Sequence, residues 1–350
     1  MSREALKILL TADPYLPVPP SLYGGIERIV HGLVQELRAR GHHVGLIAHP
    51  GSSSPVDFFR PWPGTDSGGV ANILRHTLAL QSAVRAFRPD VVHSFSRLLL
   101  MLPLFLNRGA KLMSYQRYTG GWRNRVAAAL GGGSFAFTGC SAYIAAQGRP
   151  YGGRWVTIPN FVDIDLYRFV ATVAPDSPLV FLSRIESIKG AHTAIQIAKG
   201  AGRKLILAGN RVESPQGREY WSREIEPHLS NTNVEYIGPV DDAQKNKLLG
   251  RAAALLVPIE WNEPFGIVFA EALACGTPVI SCPHGALPEI VRQGENGFLV
   301  NSVEEGVAAV ARLAEINRSA CRRIVEERFS RRAAADAYLA VYRELISASL

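Results

Sequence analysis

Two carboxylates, Glu263 and Glu271, stand eight residues apart in the stretch EPFGIVFAEALACGTP. The first adjoins a Pro-Phe-Gly step where a helix-like run begins. The second lies inside that run, between Ala270 and Ala272, where a purely structural helix has no use for an acid. Carboxylates only accept hydrogen bonds, so they bind paired hydroxyls well. Pro264 suits a first helical turn, where a missing N–H costs nothing. The amides of Phe265, Gly266 and Ile267 are then left to meet a phosphate or sugar oxygen. One acid near a sugar and one on a ribose, with phosphate between, would use both carboxylates. The alternative is a capping Glu263 with a surface-paired Glu271, which leaves the second acid without a task.

Two further features suit an anion. In SRIESIKG (183–190), Arg184 falls at the end of a strand-like run and Lys189 just before a helix-like one, a pair fitted to a pyrophosphate. Exposed cations flanking a turn are the plainer alternative. Tyr23-Gly24-Gly25 follows the first strand-like run and opens a helix, so Gly24 and Gly25 let backbone N–H groups approach an anion at the helix's positive end. Gly-Gly turns are also common for structural reasons. The sequence has neither a GxGxxG fingerprint nor a Walker A loop at this point, which argues against ordinary dinucleotide and ATPase readings.

These residues need strands to hold them, and strand-like runs alternate with helix-like ones almost throughout. In the first half LKILLTAD (6–13), VGLIAHP (44–50), VVHSF (91–95), KLMSYQ (111–116), FAFTGC (135–140) and WVTIPN (155–160) read as strands. Residues 51–70 read as a Gly/Pro/Ser loop. The second half repeats the scheme with PLVFLS (178–183), KLILAG (204–209), VEYIGPV (234–240), ALLVPI (254–259), PVISC (278–282) and GFLV (297–300). The expected class is α/β, with two Rossmann-like domains facing across a cleft. The expected units are 1–167, 168–330 and a closing amphipathic helix from 331 to 350.

A chain of 350 residues suits two domains of ordinary size, and 47% hydrophobic with 19% charged residues is a globular composition. The longest apolar patch, LLLMLPLFL, is too short to span a bilayer. The N-terminus lacks a signal-peptide layout, and Cys140, Cys275, Cys282 and Cys321 follow no disulfide or CxxC spacing. A cytoplasmic protein is expected. The net charge of +8 is uneven: residues 91–162 hold eight Lys and Arg side chains and no acid. That stretch is a solvated face, a positive wall for an anionic ligand, or a surface for acidic lipid. A nucleic-acid partner is not expected, for want of a recognised module. No His, Cys or Asp spacing reads as a metal site, and Asp163-Ile164-Asp165 falls where the domains join.

Taken together, YGGIERIVHGLVQELRARGHHV, SRIESIKGAH, VEYIGPVDD, EPFGIVFAEALACGTPVISCPHGALPEIV and ENGFLV resemble the retaining family 4 glycosyltransferases of GT-B fold. The resemblance covers nearly the whole chain. It implies that Glu263 lies beside the donor sugar and Glu271 on the ribose, with Arg184 and Lys189 on the diphosphate. It places Gly25 and the amides of Phe265 to Ile267 as further donors, and the turn from Gly238 to Val240 against the base. It also implies a final helix that crosses back to the first domain, retention of anomeric configuration, and no required metal or other cofactor. The expected partners are a nucleoside diphosphate sugar, a UDP-sugar first, and an anionic or amphiphilic acceptor. His93, Gln116, Arg117 and Arg123 are the acceptor-side candidates. The family usually has a histidine where this chain has Gln116, which can hydrogen-bond a hydroxyl but cannot take up a proton. A non-catalytic sugar-nucleotide binder, and an epimerase or hydrolase on the same fold, are the alternatives.

Overall fold

The computed structural model describes residues 5–20, 24–66, 68–118, 121–229 and 233–349. The chain divides into two compact units, Met1–Asn160 with Arg331–Leu350, and Phe161–Ser330.

The first unit is built on a sheet of seven parallel strands: β1 (Lys7–Thr11), β2 (His43–Ala48), β3 (Phe58–Pro61), β4 (Val91–Ser94), β5 (Ala110–Tyr115), β6 (Phe135–Gly139) and β7 (Trp155–Thr157). Their order is β3-β2-β1-β4-β5-β6-β7. The strands between are joined by α1 (Gly25–Ala39), α2 (Val70–Phe87), α3 (Leu98–Met101), α4 (Trp122–Gly131) and α5 (Ala142–Gly148), with a 3₁₀ turn Leu102–Leu106 after α3. The central strands are buried almost throughout, as parallel strands covered on both faces must be. Side chains alternate between faces along each strand. On one face Leu9, Val92, Met113, Phe135 and Phe137 meet Leu80, Met101, Leu104 and Ala127 from α2, α3, the 3₁₀ turn and α4. On the other, His93, Ser114 and Thr138 meet the final helix.

The second unit repeats the arrangement with six parallel strands: β8 (Leu179–Leu182), β9 (Leu205–Ala208), β10 (Val234–Tyr236), β11 (Ala254–Val257), β12 (Val279–Ser281) and β13 (Gly297–Leu299). Their order is β10-β9-β8-β11-β12-β13. The helices are α6 (Ala191–Gly200), α7 (Pro215–Tyr220), α8 (Asp242–Arg251), α9 (Ile267–Ala274), α10 (Leu287–Ile290), α11 (Val303–Ala311) and α12 (Arg318–Arg328). The last helix, α13 (Arg331–Ser347), leaves this unit and packs on α1, β4 and β5 of the first.

Three expectations need correction. Residues 51–70 are not all loop, because Phe58–Pro61 forms the edge strand β3 beside β2. The units divide after Asn160 rather than at residue 167. Phe161 to Tyr167 are held in the second unit: the Val162 amide donates to the Phe329 carbonyl (2.8 Å), and the Arg322 guanidinium caps the carbonyls of Ile164 and Tyr167 (3.2 and 2.8 Å). Finally, α9 begins at Ile267, not at Pro264. Gly266 caps it with φ +81°, a left-handed geometry that favours glycine, so Pro264 and Phe265 precede the helix.

Candidate active site

In the second unit, two of the residues singled out by type, Lys189 and Glu263, meet beyond the ends of β8 and β11, where open parallel sheets bind ligands. Lys189 ends a short 3₁₀ turn after β8, and Gly190 (φ +74°) turns the chain into α6. A Cβ on Gly190 would lie 2.0 Å from the Pro258 carbonyl oxygen, so only glycine lets this turn sit against the segment after β11. That approach brings the Lys189 ammonium within 2.7 Å of Glu263 Oε2. Lys189 is buried, and its Nζ lies 4.7 Å from the centre of the Trp261 ring. The Trp261 indole N–H donates to the same Oε2 atom at 3.0 Å. One oxygen of Glu263 is thus fixed by a cation and a neutral donor, arranged so that the cation also rests on the donor's ring.

The backbone of Glu263 is pinned as well. Its carbonyl accepts from the Ala286 amide (2.9 Å), and Gly285, at φ +61°, leaves only 2.3–2.4 Å between its missing Cβ and the Glu263 backbone. The exposed His284 stands next in this turn. Glu271 lies in the second turn of α9 and is buried. Its Oε1 accepts from the Tyr167 hydroxyl and from the Lys245 ammonium, both at 2.6 Å. Among the described residues no side chain or amide donates to its Oε2, so this carboxylate keeps one acceptor atom for a ligand hydroxyl.

Arg184 is not drawn into that group. Its guanidinium pairs with Glu186 at 3.1 Å, two residues along the same loop, and is half exposed. The structure brings Lys189 and Glu263 together, then, but not Arg184 with either. Gly238 (φ +76°) accepts the Gly209 amide through its carbonyl (2.9 Å), which ties the end of β10 to the end of β9; Val240 follows, half-buried, ahead of α8. A cavity of about 340 Å³ is lined by Ser187 of the Lys189 turn, His192, Tyr220 and Glu260 among others. Its His192 ring bridges Tyr220 Oη (2.9 Å) and Glu260 (3.2 Å). Burial pushes the thiol of Cys275 up to about 12 and that of Cys282 up to about 11, so neither supplies a thiolate at neutral pH.

In the first unit, Gly24 caps α1 and Gly25 is its first residue, while Tyr23 lies outside the described residues. His93 is not an acceptor-side residue. It is completely buried, its Nδ1 lies 2.6 Å from Tyr342 Oη and its Nε2 2.6 Å from Ser114 Oγ, and burial pushes its pKa down to about 3. It is a neutral core histidine that fastens α13 to the sheet. Among the described residues, neither atom of the buried side-chain amide of Gln116, just beyond β5, has a hydrogen-bond partner. Arg117 next to it is exposed and acts electrostatically on Asp13 and Glu27. Arg123 lies on the outer surface of α4, 5.9 Å from the centre of the Trp122 ring.

Several residues here escaped the sequence reading. Trp261 precedes Glu263 by two residues, a local signal that could have been weighed. Tyr167 and Lys245 meet Glu271 from 104 and 26 residues away, and no spacing rule announces them. Asp13 and Glu27 are largely buried carboxylates whose pKa values burial raises; Ser96 Oγ donates to Asp13 at 2.8 Å.

Known proteins resemble this chain in sequence and in fold. Residues 166–332 match the family described as Glycosyl transferases group 1, and residues 23–166 match Glycosyltransferase Family 4. Glycogen synthase of Mycobacterium tuberculosis is 26% identical over 359 aligned positions, covering 87% of this chain and 84% of that protein. Among solved structures, AviGT4, a glycosyltransferase involved in avilamycin A biosynthesis, superposes with a TM-score of 0.72 at 26% identity, covering 98% of each chain. Anabaena HepE, solved with UDP and glucose, superposes at 0.73 and 20% identity, over 97% of this chain and 99% of that one. The chain belongs to the family 4 glycosyltransferases of GT-B fold.

Proposed function

We propose that this glycosyltransferase moves a hexose from a nucleoside diphosphate sugar, a UDP-sugar first, to an anionic or amphiphilic acceptor, with retention and without a required metal. The observation that carries the reading is the Lys189–Glu263–Trp261 contact at the head of α9, with Glu271 one turn deeper. Departure of a nucleoside diphosphate leaves negative charge on phosphate and positive charge on the sugar. Lys189 and the first amides of α9 answer the former, and the carboxylate of Glu263 answers the latter. Arg184, on a mobile-length side chain at the loop edge, would exchange Glu186 for phosphate when the donor enters. Glu271 Oε2 would accept from ribose hydroxyls. Because the developing charge is met by fixed groups, the step asks for no covalent nucleophile, and attack from the face the diphosphate leaves gives retention. The UDP preference draws on HepE, whose bound ligands are UDP and glucose; the unpartnered amide of Gln116 offers the acceptor a donor and an acceptor atom.

Glu263→Gln tests the assignment. It should remove most transfer, a loss on the order of 100-fold or more in kcat, while nucleoside diphosphate binding persists. Lys189→Ala should weaken both. Transfer by Glu263→Gln at the parent rate would overturn the role given to this carboxylate, and transfer abolished by a chelator would overturn metal independence.

A further inference from the structure

The helices that cover one face of the seven-stranded sheet turn apolar side chains toward water as well. α4 buries Asn124, Ala127 and Gly131 against the sheet. Its opposite side carries Trp122, Val126 and Leu130, all exposed, the first by 70%. At 3.6 residues per turn these three fall within a sector of about 80°, with Arg125 along one border and Arg123 along the other. α2 repeats the pattern, since Val70, Leu74 and Leu78 recur every fourth residue on its water-facing side. The 3₁₀ turn Leu102–Leu106 packs against both helices and ends on Leu106, which is 90% exposed. Apolar residues scattered singly over a surface need no explanation, but aligned stripes on neighbouring helices do.

Charge decides what covers them. The two helices and the 3₁₀ turn hold Arg75, Arg85, Arg123 and Arg125, all exposed, and no acid. A second copy of the chain seated on this face would set those cations against one another. An anionic surface would neutralise them, and an apolar stripe bordered by arginines is how a helix lies in a lipid headgroup plane. We propose that this face docks on an anionic lipid bilayer, with Trp122 and Leu130 in the acyl-chain boundary and Arg123 and Arg125 on lipid phosphates. The arginine stems lie along the apolar boundary while their heads reach the phosphates. Docking of this kind is reversible, because a single short helix face buries too little for permanent insertion. It concerns a surface of the first unit and holds whether or not the donor-site assignments are right.

The test is co-sedimentation of the full chain with vesicles of phosphatidylglycerol mixed with phosphatidylcholine, against vesicles of phosphatidylcholine alone. Binding should be at least about tenfold tighter to the anionic vesicles and should weaken as salt rises. Trp122→Ser with Leu130→Ser should reduce it about tenfold, and so should Arg123→Glu with Arg125→Glu. These positions are exposed, so melting temperatures should stay at the parent value. If a variant does melt early, quenching of the parent's tryptophan emission by acyl-chain-brominated lipid, diminished in Trp122→Phe, reads the insertion directly. Equal binding to both vesicle types, no binding to either, or undiminished binding by the Trp122/Leu130 variant would overturn the proposal. A dimer in light scattering that the same variant dissolves would overturn it too, in favour of a protein interface.

Discussion

Replacing Glu271 by alanine tests whether the second carboxylate is built into the fold as well as aimed at a ligand. The side chain is 9% exposed and its Lys245 partner 14%, with 2.6 Å between the charged atoms. Breaking a buried pair by removing one member costs about 3–5 kcal/mol. Two local facts decide where in that range the loss falls. Lys245 keeps a second acid, Asp242, at 3.2 Å, which is 45% exposed and so compensates only in part. The Tyr167 hydroxyl, in a residue 6% exposed, loses its bond to Glu271 Oε1, which adds to the loss. The expected loss is about 3–4 kcal/mol. In a unit of this size each kcal/mol moves the melting temperature by about 2–4 °C, so the transition should fall by roughly 6–16 °C. Guanidinium titration read by tryptophan emission supplies the free energy. Glu271→Gln, which keeps an acceptor for both partners, should lose about half as much. Glu235→Ala, which breaks the half-exposed pair with Lys204, should change stability by less than about 1 kcal/mol. If Glu271→Ala unfolds within about 1 kcal/mol of the parent, the clasp with Lys245 and Tyr167 does not exist as described, and the argument for a prepared ribose site falls with it.

Two other outcomes follow from the same geometry. Trp261→Phe keeps the ring under Lys189 and deletes only the N–H to Glu263; a hydrogen bond to a charged group contributes about 1.5–3 kcal/mol, so kcat should fall by roughly 10- to 100-fold with little change in the Kd for nucleoside diphosphate, and an unchanged kcat would remove Trp261 from the site. His93 has its folded pKa near 3 against an ordinary 6.5, so between those values the unfolded chain binds a proton that the folded chain refuses; the stability from this group is present above about pH 6.5 and is lost as pH falls toward 3, at up to about 1.4 kcal/mol per pH unit. The difference in acid-unfolding slope between the parent and His93→Gln isolates that contribution, and equal slopes would contradict the burial of a neutral His93.

The strands of both sheets were legible because parallel strands buried on two faces read as short apolar runs, and the acid and lysine positions were legible because their types are out of place in such surroundings. What could not be read is where long-range packing chooses the outcome. The sequence FFRP inside a Gly/Pro/Ser stretch forms an edge strand because β2 offers a free edge there, which no local periodicity records. The start of α9 was misplaced by three residues: Pro264 is a good first-turn residue, but Gly266 in a left-handed conformation resets the helix, and the Glu263 backbone is instead pinned by the turn at Gly285. His93, an acceptor-side candidate by sequence, lies near a strand's end, but the alternation of β4 turns it toward α13, a partner some 250 residues away. The ion pair between Lys189 and Glu263 joins two motifs that could each be recognised, yet only the close approach at Gly190 explains why they meet. The water-facing stripe of α4 was hidden for a different reason: the side it buries, Asn124, Ala127 and Gly131, is small or polar, so the larger apolar residues read as the core face.

The central claim is that the head of α9 and the Lys189 turn form a nucleoside diphosphate sugar site. Calorimetric titration of the purified chain with UDP, GDP, ADP and their glucose conjugates, without added metal, tests it most directly. The account predicts saturable one-to-one binding of one diphosphate, UDP first, weakened at least about tenfold by Arg184→Ala and by Lys189→Ala. Absence of heat and of competition for all six compounds, in protein that unfolds cooperatively, would contradict it.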